Sequence, residues 1–244
     1  MRVDSLAVHL RPRSMSEACD LGVLLVNRHA RSVWSCYAPI FLFVLLVALA
    51  TVEISPWLPT LLLFWLKPWL DRTLLFVLSR AVFGEATRLR DVWAQRSSVL
   101  FGDLFVTLAW RRFSPWRSFT QPVYQLEGQR GAARRKRRGQ LLKGKRGSAM
   151  MLEFAFANIE FVMAIGLVAV LMWFAPEGSR QDLLAWLGNS QSGFHHYVLL
   201  IAYAAATLFV EPFFVGAGFA MYLNRRVELE AWDIEQEFRR VFAA

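Results

Sequence analysis

Residues 33–52 read VWSCYAPIFLFVLLVALATV and carry no charged side chain over twenty consecutive positions. At about 1.5 Å per residue, a helix of that length crosses a hydrocarbon core about 30 Å thick. The segment therefore predicts a membrane-spanning helix. Before it, Asp4, Glu17 and Asp20 interrupt the chain, so we expect no cleavable signal peptide and insertion through this internal span.

The composition of the whole chain agrees with a membrane protein. Of its 244 residues, 56% are hydrophobic, 14% are aromatic and only 19% are charged, whereas about 25% of an average soluble chain is charged. The mean hydropathy is +0.34. Disordered and fibrous classes are excluded. We expect an all-α, polytopic membrane protein with about four transmembrane helices plus amphipathic interfacial helices.

Two later segments, residues 152–174 and 197–222, also predict spans because each is long and almost entirely apolar. In the second of them, Gly216 and Ala220 lie four positions apart on one helix face. Small residues at this spacing let a neighbouring helix approach closely. We expect this face to be a helix-packing surface.

Residues 57–83 predict the remaining span, but this segment is less regular. Four residues interrupt its apolar run: Lys67, Pro68, Asp71 and Arg72. Two interpretations stay open. The segment forms one tilted, proline-kinked helix, or it forms a short span that ends at Leu66 and an interfacial helix that starts at Thr73.

The chain ahead of the first span predicts an amphipathic helix. Ser14 and Glu17 have the spacing of a capping box. Apolar residues then recur every three or four positions: Met15, Ala18, Cys19, Val23, Val26 and Ala30. We expect this helix to lie against the inner face of the membrane.

Residues 84–147 are mostly polar and are expected to form a cytoplasmic basic loop. Within them, Val99–Trp110 is apolar but too short to span, which predicts a surface-lying or shallow re-entrant helix. Trp110–Phe113 and Trp116–Arg117 alternate rings with guanidinium groups. This pattern is typical of segments at the level of lipid headgroups.

The positive charge of the chain is concentrated in one stretch. Lys and Arg total 28 against 19 Asp and Glu, a net charge of +9, and residues 130–146 alone hold nine basic groups and no acid. We expect this stretch to contact lipid phosphates or a protein partner. The candidate contact residues are Arg134, Arg135, Lys136, Arg137 and Arg138. No nucleic acid is expected, because the stretch has no aromatic residue that could stack on a base.

Charge also predicts the orientation of the chain. The loops on one side carry nearly all the loop arginines, which places both termini and residues 84–147 in the cytoplasm of a bacterial inner membrane. The tail, residues 227–244, predicts an amphipathic acidic helix. Either it docks on protein, on residues 130–146 of its own chain or on another subunit, or it is a solvated terminal helix.

Five ionisable residues inside the predicted spans form a candidate polar cluster: Lys67, Asp71, Arg72, Glu160 and Glu211. Each costs about 2.5–3.5 kcal/mol at the centre of a membrane helix, so such groups face protein or water and pair with one another. Lys67 and Asp71 are four positions apart and can meet on one helix face. The pattern favours a structural network. A polar pocket for a headgroup, or a proton path, is the alternative.

No catalytic, cofactor-binding or metal-binding residue is predicted. The chain lacks a Ser-His-Asp order, a Walker loop, an HExxH motif and a dinucleotide fingerprint. His195 and His196 are adjacent, so on a helix they point about 100° apart and cannot clamp one metal ion. Cys19 and Cys36 have no metal-ligand spacing and are interpreted as reduced packing residues.

Four stretches carry a family resemblance: Leu10–Arg13 with Glu17–Gly22, Leu66–Arg72 with Val77–Gly84, Trp110–Pro115 with Gln125–Gly128, and Glu211–Phe219 with Tyr222–Arg226 and Glu230–Glu235. They resemble a family of uncharacterised proteobacterial inner-membrane proteins, often encoded beside MoxR-type AAA+ ATPases, von Willebrand A-like proteins and transglutaminase-like membrane proteins. The pattern is also distantly similar to the non-catalytic membrane domain of some glycerophosphodiester phosphodiesterases. The resemblance implies a membrane component of a cell-envelope system, with no activity to carry over.

Together these observations predict a non-catalytic scaffold or subunit of a cell-envelope system in the inner membrane. Its partners would be the lipid bilayer and envelope proteins bound through the basic loop and the acidic tail. The alternative is a small transporter or lipid-handling protein that uses the charges within the spans as its site. No cofactor is expected in either case.

Overall fold

The computed structural model describes residues 12–102, 104–109, 113–174 and 193–230, and all regular secondary structure in these ranges is helical. The helices are α1 (Met15–Arg28), α2 (Ala30–Leu49), α3 (Leu58–Ala81), α4 (Leu89–Ala94), α5 (Arg96–Val99), α6 (Leu104–Ala109), α7 (Arg117–Gln125), α8 (Gly131–Leu142), α9 (Arg146–Trp173) and α10 (Gly193–Glu230). The predicted all-α class is confirmed.

Three helices in the described part of the chain are long and apolar enough to cross a membrane. They are α2, residues 146–171 of α9, and residues 196–230 of α10. α3 is also long, with 24 residues, and it runs without a break through Pro68. The predicted alternative of two separate helices in residues 57–83 is therefore wrong. Pro68 lies inside this helix and is buried in the bundle, although proline donates no backbone hydrogen bond.

α10 is the centre of the bundle and packs against α1, α2, α3, α7, α8 and α9. α1 lies along it in the opposite direction. Asn224 of α10 accepts a hydrogen bond from the backbone N–H of Arg13 and donates one to its carbonyl, both at 2.9 Å. Two turns further along α1, Gly22 meets Gly216.

The contact between Gly22 and Gly216 leaves no room for a side chain. A Cβ on Gly22 would lie 2.3 Å from the carbonyl oxygen of Gly216, and a Cβ on Gly216 would lie 2.5 Å from Cγ2 of Val26. The predicted small-residue face of α10 is thus a packing surface at Gly216. At this contact α1 lies alongside α10, and its predicted position against the inner face of the membrane stays a prediction.

Residues 84–147, predicted to form a cytoplasmic basic loop, contain the short helices α4 to α8 in their described part. α7 enters the bundle and contacts α3, α8, α9 and α10. The close approach depends on Gly218, where a Cβ would lie 2.3 Å from Oγ of Ser118. Arg117 is only 5% exposed, so its predicted position among lipid headgroups is wrong. Residues 110–112 lie outside the described ranges.

The described part of the apolar stretch, residues 99–102 and 104–109, is not one helix, because the chain bends between α5 and α6. Arg72 ends α5 there: its Nε donates to the carbonyl of Val99 at 2.6 Å and its Nη2 to that of Ser98 at 2.7 Å. These bonds satisfy carbonyl groups that a continued helix would have used. The prediction of a single surface-lying or re-entrant helix is therefore corrected to two short helices that pack on α3.

We expect Gly22→Ala to destabilise the protein by roughly 1–3 kcal/mol, because the new methyl group overlaps the backbone of α10. Thermal unfolding in detergent, followed by far-UV circular dichroism, measures the effect. Gly166→Ala is the matched control, since a Cβ at this position in α9 meets no atom within 4 Å. Equal melting temperatures for the two variants would contradict the close contact of α1 with α10.

Candidate functional site: a buried ion-pair ladder

Lys67 joins three helices in the interior of the bundle. α3 presents it inward, and it is 6% exposed. Its Nζ lies 2.6 Å from Oε2 of Glu160 on α9 and 2.7 Å from Oε2 of Glu211 on α10. Glu160 has a second partner, because its Oε1 accepts a hydrogen bond from the hydroxyl of Thr207. One ammonium group thus neutralises part of two carboxylates from different helices.

Glu211 continues the series with its other oxygen. Its Oε1 accepts a hydrogen bond from Nη2 of Arg117 at 2.8 Å. Nε of Arg117 lies 3.3 Å from Oδ2 of Asp71 on α3, and its Nη2 lies 3.9 Å from Oε1 of Glu153 on α9. The charges therefore alternate in the order Glu160, Lys67, Glu211, Arg117 and Asp71. We call these five residues the ion-pair ladder.

Burial makes the alternation necessary. Asp71 is 0% and Glu211 2% exposed, and an ionised group at such a position is severely destabilising without a partner. Removing one member of a buried pair costs about 3–5 kcal/mol, because the other charge is left uncompensated. The guanidinium of Arg117 also lies over the ring of Phe214, 5.0 Å from its centroid. The ladder ties α3, α7, α9 and α10 together.

The structure brings together four of the five charges predicted to form a cluster: Lys67, Asp71, Glu160 and Glu211. The fifth, Arg72, points instead to the end of α5 and donates to the backbone carbonyls of Ser98 and Val99. The spacing of Lys67 and Asp71 suggested that they pair with each other, but they do not. Lys67 pairs instead with Glu211 of α10, and Asp71 pairs with Arg117 of α7.

Arg117 is the ladder residue that the sequence pattern missed. It lies in a polar segment of α7, RSFTQPVYQ, whose composition is typical of a solvent-exposed helix. The charge count of the predicted cluster gave one indication of a missing cation, because Lys67 and Arg72 balance only two of its three acids. A further cation from outside the apolar runs would have completed the balance.

A second group of charges fixes α8 at the end of α10. Nε of Arg137 lies 2.9 Å from Oε2 of Glu127, and its Nη2 pairs with Glu230. Burial alone would lower the pKa of Arg137, but its hydrogen bonds to Glu127 and Glu230 raise this pKa above the ordinary value. The hydroxyl of Tyr222 donates to Glu127 at 2.6 Å. We call this group the α8 clasp.

The α8 clasp and its neighbour Glu228 place the start of the acidic tail on the basic stretch of the same chain. Oε1 of Glu228 lies 3.1 Å from Nζ of Lys145, and Glu230 meets Arg137. Residues 231–244 lie outside the described ranges. Of the candidate contact residues on α8, Arg137 is engaged within the chain, Arg134 and Arg138 are half-buried, and Arg135 and Lys136 are exposed.

Within the described residues, no group of three His, Cys, Asp or Glu side chains is placed to hold a metal ion. Cys19 and Cys36 are both free thiols. His196 lines an open groove of about 550 Å³ between α3 and α10, together with Trp57, Phe64 and Tyr203. Comparison with protein-family models, curated proteins and solved structures gives no match.

Proposed function

We propose that the chain is an integral protein of the bacterial inner membrane, crossing it four times through α2, α3, α9 and α10. Both termini and residues 84–147 would face the cytoplasm. In this proposal the protein is a non-catalytic scaffold or subunit of a cell-envelope system, and the ion-pair ladder holds its bundle together. The resemblance of the sequence to an inner-membrane family favours the same setting.

The outward face of α9 supports membrane insertion. Phe154, Phe161, Val170 and Leu171 are each more than half exposed, and α9 has its main packing contact with α10. A soluble monomer rarely shows a continuous apolar surface of this extent to water. In a bilayer the same surface faces hydrocarbon without penalty.

α3 supports the fourth crossing despite its charges. Its 24 residues extend about 36 Å, which is enough to cross a hydrocarbon core. Lys67, Asp71 and Arg72 are all buried against partners from other helices. None of these three charges needs to face lipid, and this is the arrangement in which charged residues are tolerated in a membrane.

The burial and the short pairing distances of the ion-pair ladder support the scaffold proposal. Its five members are between 0% and 8% exposed, and each anion lies within 3.3 Å of a cation. A transporter that used these groups as its site would have to break the pairs in each cycle. Pairs that are short and shielded favour a role in packing.

Cysteine labelling of intact cells tests the topology. We expect Glu53→Cys, between α2 and α3, to react with a membrane-impermeant maleimide. Gln140→Cys, in α8, should react only after lysis. Both positions are exposed, and the wild type with its own Cys19 and Cys36 gives the background. Labelling of Gln140→Cys in intact cells would place α8 outside the cytoplasm and contradict the proposed topology.

A neutral variant at Glu211 distinguishes the scaffold role from the transporter role. Glu211→Gln leaves both Lys67 and Arg117 with a missing partner, so we expect a loss of roughly 3–5 kcal/mol and a lower yield of folded protein. Size-exclusion chromatography in detergent measures this yield. The control is Glu85→Gln, whose pair with Arg80 is 2.9 Å long but exposed, with an expected cost of about 1 kcal/mol or less. Normal folding of Glu211→Gln, with a transport or lipid phenotype, would reject the scaffold role.

A further inference from the structure

A groove of about 380 Å³ lies between α8 and the segment that leads into α7. Its polar lining includes Ser114, Arg117, Tyr124, Arg134 and Arg138, and its apolar wall includes Trp116. No Asp or Glu is among the residues that line it. The groove is therefore rich in hydrogen-bond donors and positive charge, next to an aromatic surface.

Two arginines on α8 give the groove a positive charge without a counter-charge. Arg134 and Arg138 are one helical turn apart, and neither pairs with a carboxylate in the part of the chain that the structure describes. Arg138 lies over the ring of Trp116, 5.4 Å from its centroid. Burial lowers the pKa of Arg138, and the nearby cations Arg134 and Arg146 lower it further. Like charges held this close are relieved by an anion between them.

The α8 clasp explains why these arginines face the groove. Arg137 lies between them in sequence and is held on another face of α8 by Glu127 and Glu230. That contact fixes the rotation of the helix. Within the described residues, Glu127 and Glu230 are thus engaged by Arg137, and Arg134 and Arg138 are left for a ligand.

The inner end of the groove holds two further donors without partners. Nη1 of Arg117 and Oγ of Ser114 are buried, and neither has a hydrogen-bond partner among the described residues. Arg117 itself is 5% exposed, and its other nitrogens face the ion-pair ladder. Buried donors are almost always matched by an acceptor, so these two groups favour a ligand that carries acceptor oxygens.

We propose that this groove binds the phosphate group of a ligand, with the guanidinium groups of Arg134 and Arg138 on the phosphate oxygens and Trp116 against the rest of the molecule. Phosphate suits the site because its oxygens match the planar fork of arginine. The ligand is either the headgroup of an anionic phospholipid or a soluble phosphate compound. This inference goes beyond the scaffold role and does not depend on the number of membrane crossings.

Isothermal titration calorimetry of the full-length protein in detergent tests the site with two probes, dihexanoyl phosphatidic acid and inorganic phosphate. R134Q/R138Q should weaken binding at least tenfold. The matched control R135Q/K136Q removes two cations from the same helix at exposed positions, and it should change affinity less than twofold. Binding of the lipid alone identifies a headgroup site, and binding of both probes identifies a site for phosphate in general.

Equal losses in the two double variants would overturn the proposal, because they would show diffuse attraction to a basic surface. Absence of binding of either probe to the wild type would overturn it as well. The melting temperature of each variant checks folding. If R134Q/R138Q does not fold, R138Q alone carries the test, with an expected loss of at least threefold and with K136Q as its control.

Discussion

Glu211 is the residue on which the bundle depends, because its two carboxylate oxygens hold two cations that come from different helices. Lys67 reaches it from α3 at 2.7 Å and Arg117 from α7 at 2.8 Å. In a dry interior each of these charges is tolerated only with its partners in place. The positions of α3, α7, α9 and α10 are thus coupled: a shift of any one of them would leave a charge unpaired.

Close backbone contacts make this geometry possible. Gly216 admits α1 and Gly218 admits Ser118 of α7, both on the stretch of α10 that follows Glu211. With larger residues there, α7 could not lie deep enough for Arg117 to reach Glu211 and Asp71. The α8 clasp then holds the next helix at the end of α10, through Arg137 and Glu230. Small residues, the ion-pair ladder and the clasp act along one helix.

The long apolar helices and most of the ladder could be predicted from the sequence, because both depend on local composition. The uncharged run of residues 33–52 predicts a long apolar helix, which α2 provides over Ala30–Leu49, and charges such as Lys67 and Glu160 inside apolar runs must find partners. The burial of α7 could not be predicted in this way. Its segment is polar, and the partner of its Arg117 is Glu211, 94 positions further along the chain. Arg72 shows the converse: its position in an apolar run suggested the ladder, but it binds the last carbonyls of α5 instead.

The most direct test of the ion-pair ladder is a double-mutant cycle on Lys67 and Glu160, which are 93 positions apart and join α3 to α9. The free energies of unfolding of Lys67→Met, Glu160→Gln and the double variant are compared with that of the wild type in one detergent. A coupling of about 1–3 kcal/mol is expected for a buried pair at 2.6 Å. Strictly additive effects would show that the two charges do not meet, and the ladder would be wrong.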